Sequence, residues 1–104
     1  MAYKVVLTDP AAADIDEAVT FIESYSVAAS ANWLETIQEA IESLSEMPSR
    51  GAFIRENTGQ GFEYRHLIYK NHRIVYRVDE AAQSVLVVRV YHSARTLLRT
   101  QDME

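Results

Sequence analysis

Residues 62–92 read FEYRHLIYKNHRIVYRVDEAAQSVLVVRVYH, and the way this stretch divides decides the fold. Three runs, Phe62 to Tyr69, Arg73 to Asp79 and Ser84 to His92, are rich in β-branched and aromatic residues. Such residues suit a pleated, half-buried surface. Lys70-Asn71-His72 and Glu80-Ala81-Ala82-Gln83 separate the runs, and both lengths are typical of hairpin loops. The stretch therefore reads as a three-stranded antiparallel meander.

Register decides which side chains share a face, because a slip of one residue turns a strand over. A three-residue loop at Lys70 to His72 places Arg65, Leu67 and Tyr69 on one face with Arg73, Val75 and Arg77. A two-residue loop sends those arginines to opposite faces. The first register is favoured, since it gathers Ile68, Ile74, Tyr76 and Val78 into one apolar set and leaves an open basic face.

Upstream, residues 48 to 61 hold Pro48, Gly51, Gly59 and Gly61 and read as one long loop. Before it lie two amphipathic segments. From Pro10 to about Ser24, Ala11, Ala12, Ile15, Val19 and Ile22 form a stripe at helical spacing, with Phe21 and Tyr25 as a flank. Asp9 is the expected N-cap and Pro10 the first helical residue. The pattern breaks around Ser24 to Val27. It resumes with Trp33, Leu34, Ile37, Ile41 and Leu44, opposite Glu35, Glu39, Glu42 and Glu46, and ends at Met47-Pro48. So short a break implies an antiparallel helical hairpin. Tyr3 to Thr8 alternates as a short strand. The expected fold is α+β in two layers, ordered strand, helical hairpin, then meander, with all of 1–104 as one domain.

Composition removes several function classes. There is no cysteine, which excludes disulfides, thiolate metal sites and a cysteine nucleophile. No stretch approaches the roughly 18 apolar residues of a membrane span, so no membrane partner is expected and a cytoplasmic location is. The net charge of −5 argues against general nucleic-acid binding. That average hides a division. Residues 1 to 48 carry nine acids and one base, whereas residues 49 to 104 carry nine bases, eight of them arginine, and six acids.

The basic half supplies the candidate chemistry. Arg65, Arg73 and Arg77 on an open sheet face, with Arg95 and Arg99 beyond it, suit an anionic partner. They equally suit solvated strand arginines paired with neighbours such as Glu63. His92, at the end of the last run and beside Arg95, is either an acid–base group or a half-buried structural histidine. His66, His72 and His92 lack metal-site spacing, so neither a metal nor any other cofactor is expected. Ser93 lacks the context of a nucleophile elbow. Gly59-Gln60-Gly61 precedes a strand and so is not a phosphate loop. The helical acids fit ordinary wet faces, and Trp33, Phe21 and Tyr25 fit core or hairpin contacts.

Taken in order, the segments Tyr3-Lys4-Val5-Val6-Leu7-Thr8, Ala13-Asp14, Tyr64-Arg65-His66-Leu67, Arg73-Ile74-Val75-Tyr76-Arg77-Val78 and Val88-Arg89-Val90-Tyr91-His92-Ser93-Ala94-Arg95 resemble the RelE/ParE superfamily of small bacterial toxins from type II toxin–antitoxin systems. The resemblance implies a helical hairpin on an antiparallel sheet, toxicity of the chain alone, and neutralisation by a cognate antitoxin. RelE-like members cut messenger RNA in the ribosome. On that branch Arg65 and Arg73 match basic sheet residues and His92 is the substitute acid–base candidate, while Leu67, Ser93 and Arg99 stand where a lysine, an arginine and a tyrosine are usual. The His92-Ser93-Ala94-Arg95 ending and the long hairpin look like the ParE branch, whose members poison DNA gyrase. On that reading Arg65, Arg73, Arg77, His92, Arg95 and Arg99 contact target or antitoxin, and DNA is reached only through the antitoxin. The alternatives are a ribosome-dependent endonuclease and a degenerate, non-toxic interaction module.

Overall fold

The computed structural model describes residues 2–54 and 64–92. Strand β1 (Lys4–Leu7) leads into helices α1 (Asp9–Glu23) and α2 (Val27–Glu42), a 3-10 turn at Ser43–Ser45, and strands β2 (Ala52–Phe53), β3 (Arg65–Tyr69), β4 (His72–Asp79) and β5 (Ser84–His92). The expected α+β class, helical hairpin and meander are all present. Each helix begins on a hydroxyl cap. Thr8 accepts from the Ala11 N–H and Ser26 from the Ala29 N–H, each satisfying an amide that has no partner within its helix. Thr8, one residue before the expected Asp9, is thus the cap of α1, and Asp9 lies in its first turn.

The sheet has five strands in the order β1-β5-β4-β3-β2, with β1 parallel to β5 and every other pair antiparallel. Strand β2 was not expected. It arises inside the segment read as loop, where Ala52 pairs with His66 and Phe53 with Arg65.

The β3–β4 register is the main correction. Tyr69 pairs with His72, so the loop is the two-residue Lys70-Asn71, with Lys70 at a φ of 51°. Leu67 pairs with Ile74 and Ile68 with Arg73. Leu67, Tyr69, Ile74 and Tyr76 therefore face the helices together, whereas Ile68 is exposed on the other face with Arg73. Burial explains the choice. The longer loop would have put Leu67 and Tyr69 outside, and Tyr69 instead packs inward with its hydroxyl donating to Thr36 Oγ1 of α2.

Ala11, Ile15, Trp33, Ile37, Ile41 and Leu44 from the helices meet Ile74, Tyr76, Val85, Val87 and Val90 from the sheet in the main core. A bulge between β4 and β5, where Val75 pairs with Arg89 but Tyr76 with Val87, lets Val90 join Val85 and Val87 on that side. The opposite face is not the open basic surface expected. Ile54, Tyr64, Val75, Val88 and Tyr91 bury one another there in a second apolar cluster.

Candidate functional site

The arginines that the sequence places on one face are divided by the two-residue turn. Arg65 points to the helix side, where its Nη1 donates to the carbonyl oxygens of Gly51 at 2.7 Å and Ser49 at 3.3 Å. Its guanidinium also stacks 4.0 Å from the centre of the Phe53 ring. Arg73 lies on the opposite face and is only 9% exposed; its Nε donates to His66 Nδ1 at 3.1 Å. That bond makes Nδ1 an acceptor and leaves the His66 proton on Nε2. Arg77 shares the Arg73 face by strand alternation and is half-buried. Arg95 and Arg99 lie outside the described residues, as do Ser93 and Glu63.

Asp14 departs from the wet-face reading of the helical acids. Its carboxylate takes Arg89 in a fork, Nε to Oδ2 and Nη2 to Oδ1 at 2.8 Å each, and Oδ2 also accepts the Val90 N–H at 2.9 Å. The reason lies in the topology. Strand β1 pairs only with Ser84 to Val87, so β5 continues past its parallel neighbour and α1 takes over that edge. Thr8 begins the handover by donating through Oγ1 to the Val88 carbonyl, and Asp14 completes it one helical turn and a half later.

His92 stands at the end of β5, where the sequence puts it, and is exposed rather than half-buried. Register places it opposite His72, with ring centres 5.3 Å apart, and His72 in turn meets Trp33 edge-on at 5.1 Å. Burial, and then the proximity of His92, hold the His72 imidazole below its ordinary value, so it is neutral at pH 7. Two clefts open beside this stack. One, of about 220 Å³, is lined by Ala18, Phe21, Ile22, Tyr25, Trp33, Lys70, Asn71, His72 and His92. The other, of about 250 Å³, includes Asp14, Glu17 and Tyr91 with the same two histidines. Sequence reasoning missed this cluster because it depends on a cross-strand register, and the spacing of 20 residues between the histidines carries no local signal. Among the described residues no group of three or more histidine or acidic side chains is arranged to hold a metal ion. Nor is any described helix long and apolar enough to cross a membrane.

A family model described as the ParE toxin of type II toxin–antitoxin system, parDE, matches residues 5–97. The chain belongs to the ParE toxin family. Solved structures agree at the level of the fold. A chain of the toxin–antitoxin complex RelBE2 from Mycobacterium tuberculosis aligns with a TM-score of 0.61 and 22% identity, covering 88% of this chain and 99% of that one. A chain of the chromosomal ParDE system from P. aeruginosa gives 0.66 and 18%, covering 88% and 96%. A mutant of the E. coli toxin RelE in the free state gives 0.52 and 19%, covering 89% and 85%. None of the curated proteins matches. In this ParE-family chain Arg65 and Arg73 stand on opposite faces of the sheet, the first half-buried and the second buried.

Proposed function

We propose that this chain is a toxin that arrests bacterial growth by binding DNA gyrase in the cytoplasm, and that a cognate antitoxin neutralises it. The observation that carries this reading is the structural use of Arg65 and Arg73. Cleaving RNA requires cationic donors aimed at the charge that develops on the scissile phosphate. Here the Arg65 guanidinium is turned to the Gly51 and Ser49 carbonyls, and Arg73 is nearly buried against His66. A protein-binding mode needs neither arginine to act on phosphate. Membership of the ParE family over residues 5–97 favours the same side.

Antitoxin capture has a natural place on the fold. Strand β1 is an outer strand of the sheet and mostly exposed, and an extended peptide can add to such an edge through main-chain hydrogen bonds. DNA then enters only through the antitoxin.

Induced expression of the chain alone, with transcript mapping and a DNA-damage reporter, tests the proposal. Growth arrest with DNA-damage signalling and intact messages is expected, together with inhibition of gyrase supercoiling by the purified chain. Codon-phased cleavage of ribosome-bound message would overturn it in favour of the endonuclease. Unimpaired growth would leave only the interaction module.

A further inference from the structure

The cleft between the C-terminal half of α1 and the β3–β4 turn combines features that the core does not explain. Phe21 and Tyr25 stand at its rim, 69% and 67% exposed, with their rings edge to face at 5.8 Å. Its floor is Trp33, 7% exposed and the chain's one tryptophan. Neither Trp33 Nε1 nor His72 Nδ1, both buried, has a hydrogen-bond partner among the described residues. Buried polar atoms without a partner are uncommon, and here they make the floor of the cleft a desolvated polar centre. The ionisable side chains lining this cleft are Lys70, His72, His92 and Tyr25, with no acid among them. In a chain of net charge −5 whose hairpin carries most of the acids, a lining with Lys70 and no acid favours negative charge.

We propose that this cleft anchors an acidic side chain carried on an apolar segment of the antitoxin. The apolar part packs against the Phe21 and Tyr25 rings over Trp33, and the carboxylate lies towards Lys70 and His92. The assignment rests on the antitoxin reading given above and locates one contact within it. An aromatic rim around a desolvated polar centre is the usual make-up of an interface hot spot. The adjoining cleft brings Asp14 and Glu17 of α1 near the same histidines, whereas Lys70 at the turn lines only the cleft without acids. It is also exposed, which makes it the informative position to reverse.

The test is titration of the full chain with its purified cognate antitoxin, read by Trp33 fluorescence and by calorimetry. A shift in Trp33 emission on binding is expected. Lys70→Glu should weaken binding at least tenfold and His92→Gln several-fold, whereas Arg50→Glu, exposed beside Ser43 at the far end of α2 and outside both clefts, should leave Kd within twofold. An acid-to-lysine change in the antitoxin that restores affinity for the Lys70→Glu chain would identify the anchoring residue. Tight binding with unchanged Trp33 emission and equal Kd for Lys70→Glu and His92→Gln would overturn the anchor while leaving the antitoxin reading intact. Absence of any binding by the unaltered chain would overturn both. Self-association abolished by Phe21→Ser would give the cleft to a second copy and likewise overturn the anchor.

Discussion

A Cβ added at Gly51 would lie 2.5 Å from the His66 carbonyl oxygen and 2.6 Å from the Tyr76 hydroxyl, closer than real contacts allow. Neither neighbour can yield, since one is strand backbone and the other is the hydroxyl of a fully buried tyrosine, which accepts the Gly51 N–H at 2.9 Å. Gly51→Ala is therefore expected to lower the free energy of unfolding by about 1–3 kcal/mol in urea denaturation. Tyr76→Phe keeps the packing but orphans that buried amide, again at about 1–3 kcal/mol. Because both changes break one hydrogen bond, the double variant should lose less than the sum. His72 gives the residue scale a pH dependence. Its imidazole is held below the unfolded value of about 6.5, so just below that pH the unfolded chain binds more protons than the folded one. Stability from this group is thus flat above pH 6.5 and falls as pH drops towards the folded value. The urea midpoint should decline as pH falls below about 6.5, and His72→Gln should reduce the decline.

At the scale of elements, the fork between Asp14 and Arg89 joins α1 to the stretch of β5 that β1 does not cover. Its side chains are 15% and 19% exposed, so water screens the pair weakly. Asp14→Ala removes three hydrogen bonds at once and leaves both the Arg89 cation and the Val90 N–H without that acceptor. A loss of about 3 kcal/mol is expected, together with faster amide exchange at Val90. Arg89→Met should cost less, because Asp14 keeps the Val90 amide even though the guanidinium contact with the Tyr91 ring is lost. A weaker effect belongs to α2, where Ser26→Ala removes the N-cap bond to Ala29 at a cost of about 1 kcal/mol. The β3–β4 hairpin shows why an element can be found and still be placed wrongly. The run of strand-forming residues announced both strands, but a loop of two or three residues is a difference of one position. Burial of Leu67 and Tyr69 under α2 settled it, a contact with residues more than 30 positions away.

For the whole molecule, the main core draws on α1, α2, the 3-10 turn, β4 and β5, and the chain ends of the sheet are closed by Tyr3, whose N–H donates to the Ser45 carbonyl. With one core spanning both halves of the sequence, heat unfolding should be a single transition whose calorimetric and van't Hoff enthalpies agree. Two resolved transitions would divide the chain into separate units. The charge division between the halves is also resolved by the fold rather than by separate modules, since the acidic hairpin lies against the arginine-bearing sheet and one of its acids, Asp14, grips one of those arginines.

Local chemistry was enough to determine the α+β class, the helical hairpin and the three antiparallel strands. Amphipathic spacing, β-branched runs and turn residues act over a few positions and are written in the chain directly. The order of those pieces carried the family resemblance as well. What only the tertiary structure decided was the destination of particular side chains: Arg65 against Gly51, Arg73 beneath His66, Asp14 on Arg89, and His72 between Trp33 and His92. Each depends on strand register or on which edge a helix covers. Those are settled by competition for burial among residues far apart in sequence, so a reading of adjacent residues holds no term for them.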